Sequence, residues 1–92
     1  MELTKVFADF TNIREQYELK RTLEVVANGD TYRLEVLYCY SNPKSRWIVY
    51  AYSPGPSGWK RISEPGFPWV ENQDEESAVR SALDFVEQQK SN

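Results

Sequence analysis

The sequence of 92 residues predicts an α+β fold in which helices pack against an antiparallel sheet. Three observations support this prediction: a helical apolar spacing at the start of the chain, alternating strands around an Asn-Gly turn, and an acidic amphipathic helix near the end. A hydrophobic content of 40% in a chain of this length suits one core, so residues 1–92 are expected to form one domain. The predicted order is α-β-β-β-α, with a fourth strand if the segment WKRIS also pairs.

The first predicted element is a helix over residues 2–17. Its apolar side chains recur at intervals of three and four, which places them along one side of a helix: Leu3, Val6, Phe7, Phe10 and Ile13. The polar residues between them carry both signs of charge, whereas a helix that binds a membrane surface is usually basic on that side. We therefore expect the apolar side to face the core.

A β-hairpin over residues 17–40 is the clearest local prediction. The dipeptide Asn28-Gly29 accepts the positive φ angles of a type I′ turn, whose twist matches that of the flanking strands. This turn pairs Ala27 with Asp30 and so fixes the pairs behind it. The expected pairs are Val25 with Tyr32, Leu23 with Leu34 and Leu19 with Tyr38 on one face, and Glu24 with Arg33 on the other.

A third strand, RWIVYAY, follows a predicted loop at residues 42–45. With that loop, Tyr40 faces Trp47 and Tyr38 faces Val49 on the core side. A loop one residue longer or shorter would exchange the two sides of the strand. The second face of the sheet then collects further apolar side chains: Leu37, Cys39, Ile48, Tyr50 and Tyr52. The sheet is therefore predicted to be apolar on both faces around this strand.

Residues 53–69 hold four of the five prolines and three of the four glycines. The favoured interpretation is a turn, then an edge strand WKRIS whose side chains alternate between two sides, then an extended crossover. The crossover is expected to lay Phe67 and Trp69 over the second sheet face, because large aromatic side chains are costly to leave in water. In the alternative interpretation, Trp59 or Trp69 stays exposed as part of an aromatic docking surface.

The last predicted element is a helix that begins near Asn72. With Asn72 as N-cap, Glu75 three residues later completes a capping box, and the neighbouring carboxylates favour the positive end of the helix dipole. An apolar stripe follows: Ala78, Val79, Ala82, Leu83 and Val86. The acidic surface from Asp74 to Glu87 is a second candidate site, for a basic partner, although a solvated helix face is the simpler explanation.

Composition excludes several chemistries. Histidine is absent, which removes the commonest general base near neutral pH and the commonest transition-metal ligand. Cys39 is the only cysteine, so it forms neither an intramolecular disulfide nor a zinc-binding thiol cluster, and its apolar strand predicts a buried thiol. The chain has no phosphate-binding glycine loop and no nucleophile elbow. We therefore predict no enzymatic activity, no cofactor and no metal.

Charge is unevenly distributed along the chain. The net charge is −3, yet residues 14–61 carry eight basic against five acidic side chains, whereas residues 62–92 carry two against seven. The excess of cations in the first region is too small to predict nucleic-acid binding by itself. No basic leader is followed by an apolar run, and no apolar segment approaches the ~20 residues that span a bilayer. We therefore expect a soluble cytoplasmic protein that does not bind membranes.

The order helix, three antiparallel strands, helix resembles the topology of double-stranded RNA-binding domains. Those domains place lysines at the start of the final helix to hold phosphates, whereas this chain places the sequence DEES at residues 74–77. The resemblance therefore implies a similar arrangement of elements, and we do not expect the RNA-binding function of that family here.

We expect a non-enzymatic module that binds another protein or a second copy of itself. Its predicted surface lies on strand three and the segment that follows, with Trp47 as an alternative to Tyr50: Tyr50, Tyr52, Trp59, Arg61, Phe67 and Trp69. The alternative function is single-stranded nucleic-acid binding, with bases stacked on the tyrosine-rich sheet beside four cations: Lys44, Arg46, Lys60 and Arg61. Core packing explains the same tyrosines, so a protein partner is favoured over nucleic acid.

Overall fold

The computed structural model describes residues 3–41, 46–62 and 74–89. Its element order is α-β-β-β-β-α: α1 Leu3–Ala8, β1 Tyr17–Ala27, β2 Asp30–Cys39, β3 Trp47–Gly55, β4 Gly58–Arg61 and α2 Glu75–Glu87. The strands form one antiparallel sheet in the order β1-β2-β3-β4, so each strand pairs with its neighbour in the chain. The predicted α+β class is confirmed, and the sheet has four strands.

The hairpin of β1 and β2 forms around the predicted turn. Asn28 and Gly29 have φ angles of 55° and 83°, which are the left-handed values that a type I′ turn requires. Ala27 pairs with Asp30, and the predicted pairs of Val25, Leu23 and Glu24 are all confirmed. The Asn28 side chain also donates hydrogen bonds to the carbonyls of Glu87 and Gln89, at 2.9 and 2.8 Å, which tie the turn to the end of α2.

The predicted pair Leu19–Tyr38 is wrong because β1 contains an irregularity. The register shifts between Leu19 and Arg21, so Lys20 is an extra residue and forms a β-bulge. Leu19 therefore pairs with Leu37, and Glu18 takes the position opposite Tyr38. The shift of one residue moves Leu19 to the other face of the sheet, where it is 52% exposed.

The pairing of β2 with β3 differs from the prediction by two residues. Tyr38 pairs with Trp47 and Val36 with Val49, where we expected Tyr40 and Tyr38 at those positions. The connection is longer than predicted, and it is closed by a hydrogen bond from the Cys39 N–H to the Arg46 carbonyl. Because side chains alternate with a period of two, an even shift leaves every residue on its predicted face.

The fourth strand pairs antiparallel with the end of β3. The side chains of β4 alternate as predicted, because Arg61 pairs with Tyr52 and Trp59 with Pro54, while Lys60 lies on the other side. β3 continues to Gly55, so the turn predicted at its end is shorter than expected. The last pair between β2 and β3 involves Tyr52, and Pro54 therefore removes no hydrogen bond from that ladder.

The core forms where α2 packs on β2 and β3. Strands and helix contribute residues that are at most 4% exposed: Tyr32, Leu34, Val36, Val49, Ala51, Ala78, Ala82 and Val86. On the helix, Ala78, Ala82 and Val86 recur every four residues, and the small alanines let the helix approach the sheet closely. We call this side of the sheet the helix face.

The predicted N-cap of α2 is wrong. The helix begins at Glu75, and its N-cap is Asp74, whose extended backbone and side-chain bond to the Ser77 N–H at 2.8 Å satisfy a free donor of the first turn. Asp74 caps as well as asparagine and stands nearer to the apolar stripe than Asn72, which lies outside the described residues. The hydrogen bond to Ser77 lowers the pKa of the Asp74 carboxyl below its ordinary value.

The predicted first helix is shorter than expected and contributes no buried residue. α1 ends at Ala8, and the N–H groups of Asp9 and Phe10 bond three residues back, which marks the end of helical structure before the polar residues Thr11 and Asn12. Val6, Phe10 and Ile13 are exposed, so the expected core-facing stripe does not form. The Phe7 ring contacts Tyr40 instead, with ring centroids 5.3 Å apart.

Candidate interaction surface

The side of the sheet opposite α2 carries most of the predicted binding residues. Of the helices in the described ranges, α2 alone packs across the sheet, and it covers the helix face. We call the opposite side the open face. The register places on it side chains from all four strands: Tyr17, Leu19, Thr22, Glu24, Val26, Arg33, Glu35, Leu37, Cys39, Ile48, Tyr50, Tyr52, Trp59 and Arg61.

One end of the open face is apolar. Leu19, Leu37 and Ile48 pair across three strands and form a continuous aliphatic row. Tyr17, which is 46% exposed, pairs with Cys39 at the next position, and Cys39 itself is buried as predicted. Burial raises the pKa of Tyr17, and the nearby Cys39 thiol adds to this effect. An apolar surface of this kind gains free energy when a partner removes it from water.

The other end of the open face combines tyrosines with charged groups. Glu24, Arg33, Tyr52 and Arg61 pair in sequence across the four strands. The Arg61 guanidinium lies 5.3 Å from the centre of the Tyr50 ring, within the range of a cation–π interaction. This end of the open face therefore places the guanidinium groups of Arg33 and Arg61 on either side of Tyr52.

At this charged end, Tyr52 has a shifted pKa and Arg33 has a hydrogen-bond donor without an acceptor in the described part of the chain. Burial raises the pKa of Tyr52, and its hydrogen bond with Glu35 raises it further because the phenol O–H is needed as donor. Arg33 Nη2 lies 4.0 Å from Glu35 Oε2, while the buried Arg33 Nε has no acceptor among the described residues. In native structures such a buried donor is commonly satisfied by an ordered water or an ion.

The structure brings together the described part of the predicted protein-binding set. Tyr50, Tyr52, Trp59 and Arg61 all lie on the open face, and Trp59 is 39% exposed on the edge strand. The remaining predicted residues, Phe67 and Trp69, lie outside the described residues, and their place over this face stays a prediction. Trp47, the alternative to Tyr50, lies on the helix face.

The cations and tyrosines that were predicted to bind single-stranded nucleic acid do not lie on one face of the sheet. Arg46 Nη1 donates to the carbonyls of Cys39 and Tyr40, at 3.2 and 2.6 Å, and so holds the end of β2. Lys60 lies on the opposite side of β4 from Arg61, and Lys44 lies outside the described residues. Tyr38 and Tyr40 point away from Tyr50 and Tyr52, so no single face carries all four tyrosines.

A row of four contacting aromatic side chains at the end of the helix face was not predicted. Phe7, Tyr40, Tyr38 and Trp47 contact one another edge to face, with centroids 4.9 to 5.3 Å apart. The Tyr40 hydroxyl donates a hydrogen bond to Glu18, which raises the pKa of Tyr40 and lowers that of Glu18. The alternation of Tyr38 and Tyr40 indicated a shared side, but the contact with Phe7 depends on the path of the chain after α1.

Features of other functional classes are absent from the part of the chain that the structure describes. In residues 3–41, 46–62 and 74–89, no three side chains of the types that ligate metals lie together. Neither α1 nor α2 has the length and apolar character needed to cross a membrane. Comparison with protein-family models, with curated proteins and with solved structures finds no match to this chain.

Proposed function

We propose that this chain is a non-enzymatic protein-interaction module whose partner binds the open face. The observation that carries the proposal is the exposure of Tyr17, Leu19 and Trp59, which are 39 to 52% exposed on one side of the sheet. Apolar side chains gathered on one surface are typical of binding sites, and aromatic residues and arginine are enriched in interfaces. The open face contains exposed apolar side chains, aromatic residues and arginines.

The two ends of the open face define the chemistry of the partner. The aliphatic row of Leu19, Leu37 and Ile48 fits an apolar surface, which supplies most of the binding free energy through burial. Arg33 and Arg61 fit carbonyl or carboxylate oxygens, because guanidinium donors pair with planar acceptors. The partner surface is therefore apolar with an acidic or carbonyl-rich border. A cytoplasmic location belongs to the proposal, since a chain with one cysteine needs no oxidising compartment.

Single-stranded nucleic acid is the alternative partner for the same face. The contact of Arg61 with the Tyr50 ring supports it, because stacked bases and arginine cations are used together in such sites. The protein partner is favoured, since Arg46 and Lys60 lie away from this pair. The likeness in topology to double-stranded RNA-binding domains adds no support, because Glu75 and Glu76 occupy the first turn of α2 and repel phosphates.

Affinity capture tests the proposal. The purified chain, its Tyr52→Ala variant and its Lys60→Ala variant are used to capture partners from lysate of the source organism, with and without nuclease. Tyr52 lies on the open face and Lys60 beside it on the other side, so the two substitutions form a matched pair. We expect a protein that is retained by the wild type and by Lys60→Ala after nuclease treatment and is lost with Tyr52→Ala.

Two outcomes contradict the proposal. Recovery of nucleic acid, with binding that falls steeply as salt increases, would establish the alternative function, because such affinity depends on neutralised phosphates. Equal recovery of the partner by the wild type and Tyr52→Ala would place the binding site elsewhere on the molecule. A second copy of the chain as partner is recognised separately by light scattering, since the molar mass then doubles with concentration.

A further inference from the structure

A second binding surface lies along the free edge of β1. Among the described residues, β1 pairs with β2 on one side and with no strand on the other. Ala27 and Asp30 close a two-residue turn, and the closing pair of such a hairpin exchanges both of its hydrogen bonds. The pattern alternates along the strand, so Thr22, Glu24 and Val26 direct their backbone N–H and C=O groups outward. This edge therefore offers donors and acceptors to another extended chain.

A groove runs beside this edge on the helix face. It has a volume of about 440 Å³ and is lined by residues of β1 and α2: Arg21, Leu23, Glu75, Glu76, Val79, Arg80 and Leu83. Leu23 and Val79 are half-buried, and Leu83 is 39% exposed. An ion pair between Arg21 Nε and Glu75 Oε2, 2.9 Å apart, joins strand and helix at one end. The volume is within the range of ligand-binding sites, roughly 300 to 1,000 Å³.

We propose that this edge and groove bind an extended peptide of another protein as a fifth strand of the sheet. The peptide pairs with Arg21–Ala27, the regular part of β1 after the bulge at Lys20. Its backbone bonds to the outward groups, and alternate side chains enter the groove against Leu23, Val79 and Leu83. Strand addition of this kind takes affinity from the backbone and specificity from the groove.

Charge defines the sequence of the peptide further. The groove lining contains two guanidinium groups, Arg21 and Arg80, and two carboxylates, Glu75 and Glu76, so it has no net charge and favours apolar side chains of the peptide. Glu24, by contrast, is an exposed carboxylate on the other side of β1, beside the pairing edge. The peptide that complements this surface alternates apolar residues, which face the groove, with lysine or arginine, which face Glu24.

A second copy of β1 fits the edge less well than such a peptide. Antiparallel pairing of Arg21–Ala27 with its own copy about the centre of the segment places Glu24 directly opposite Glu24. Like charges at this position are destabilising. A register displaced toward Tyr17 meets the bulge at Lys20, where the regular ladder is interrupted, and a register displaced toward Ala27 pairs only Leu23–Ala27 before it reaches the turn. A peptide from another protein therefore fits this edge better than a second copy of the chain.

A random peptide library displayed on phage provides the probe. The library is selected on the folded chain, and enriched peptides are synthesised and titrated against four variants. Glu24→Pro removes an outward N–H that an edge strand can lose without unfolding, and Glu24→Ala is its matched control. Leu83→Glu fills the groove with a charge, whereas Leu19→Glu places the same change on the open face.

We expect enriched peptides that alternate apolar and basic residues. Glu24→Pro and Leu83→Glu should weaken their binding about tenfold or more, because a lost ladder bond or a charge in an apolar groove costs roughly 1.4 kcal/mol or more. Glu24→Ala and Leu19→Glu should weaken binding by at most about threefold. On the wild type, bound peptide should slow amide exchange at Thr22, Glu24 and Val26, which tests the edge without any substitution.

The proposal is wrong if no peptide is enriched, if enriched peptides bind all four variants equally, or if amide exchange at the edge is unchanged. A dimer that forms without peptide and dissociates on Glu24→Pro would show that a second copy occupies the edge instead. The experiment also distinguishes this edge from the centre of the open face around Tyr52. Loss of peptide binding on Leu83→Glu with partner capture intact, or the reverse for Tyr52→Ala, separates the two surfaces.

Discussion

The two faces of the sheet are built from alternate residues of the same strands, yet they differ in composition and in burial. On the helix face, Leu34 and Val36 are fully buried beneath α2 together with small alanines. On the open face, the neighbouring positions hold Arg33, Glu35 and Leu37, which are only half-buried. The helix face therefore carries the hydrophobic stabilisation of the fold.

The open face buries less apolar surface than the helix face. Its aliphatic row, its tyrosines and its arginines are half-buried or exposed, so we expect them to contribute less to the stability of the fold. Residues whose substitution costs little stability are free to serve binding, whereas residues of the helix face are constrained by packing. We therefore expect substitutions on the helix face to destabilise the fold more than substitutions on the open face.

Two leucines of β2 test the division directly. Leu34→Ala should lower the free energy of unfolding by about 2 to 5 kcal/mol, because it leaves a cavity in a fully buried site. Leu37→Ala, on the same strand but on the open face, should lower it by roughly 1 kcal/mol, since the side chain is partly in water already. Urea unfolding of both variants measures the difference. Equal losses would mean that the open face is core.

The turn of the hairpin contributes to the helix side of the molecule. Asn28→Ala should destabilise the fold by about 1 to 2 kcal/mol, because it loses both the side-chain bonds to α2 and a residue that tolerates positive φ. Asn28→Gly keeps the turn conformation and loses only the bonds, so it should cost roughly half as much. Thermal unfolding of the two variants separates the contributions. If they were equally unstable, the bonds alone would matter.

Tyr52→Ala should leave the fold largely intact while it removes a central group of the open face. We expect the melting temperature to fall by less than ~5 °C, which corresponds to about 1 kcal/mol for a domain of this size. Differential scanning calorimetry of wild type and variant provides the measurement. A larger decrease would assign Tyr52 to the core and weaken its use as a probe of binding.

The smallest expected effect concerns acid stability at the start of α2. The pKa of Asp74 is lowered from 3.8 in the folded state by its bond to Ser77, so its stabilising contribution is present above about pH 4 and is lost as pH falls through the folded pKa. Asp74→Asn keeps an N-cap acceptor without a charge and should flatten this part of the pH dependence. Urea unfolding of both proteins at several pH values, from about pH 6 to about pH 2, measures how the free energy of unfolding of each depends on pH. If the free energies of unfolding of the two proteins changed identically with pH, the Asp74 carboxylate would make no contribution to the acid dependence of stability.

Local chemistry predicted the parts of the fold that depend on adjacent residues. Asn28-Gly29 determined the hairpin and its nearest pairs, because a two-residue turn admits a single register. The alternation of β4 was also predictable from WKRIS. The bulge at Lys20 was not, since nothing in its neighbours distinguishes an inserted residue from a regular one, and Leu19 was therefore assigned to the wrong face.

Longer-range features were less predictable for physical reasons. The spacing of apolar residues over 3–13 is typical of a core-facing helix. A short helix is only marginally stable without packing against the core, however, and α1 ends at Ala8. The open face was predicted in its central residues, Tyr50 and Tyr52, because period-two alternation is unaffected by the shift of two between β2 and β3. The groove beside β1 was missed, since it depends on where α2 crosses the sheet.

Photo-crosslinking in cells provides a direct test of whether a protein partner binds the open face. A benzophenone amino acid is introduced at Tyr52 in one protein and at Lys60 in another, and both are irradiated in cells of the source organism. We expect a covalent adduct with one protein from position 52 and none from position 60, which lies on the other side of the sheet. An adduct from position 60 alone, or none from position 52, would contradict the proposal that a protein binds the open face.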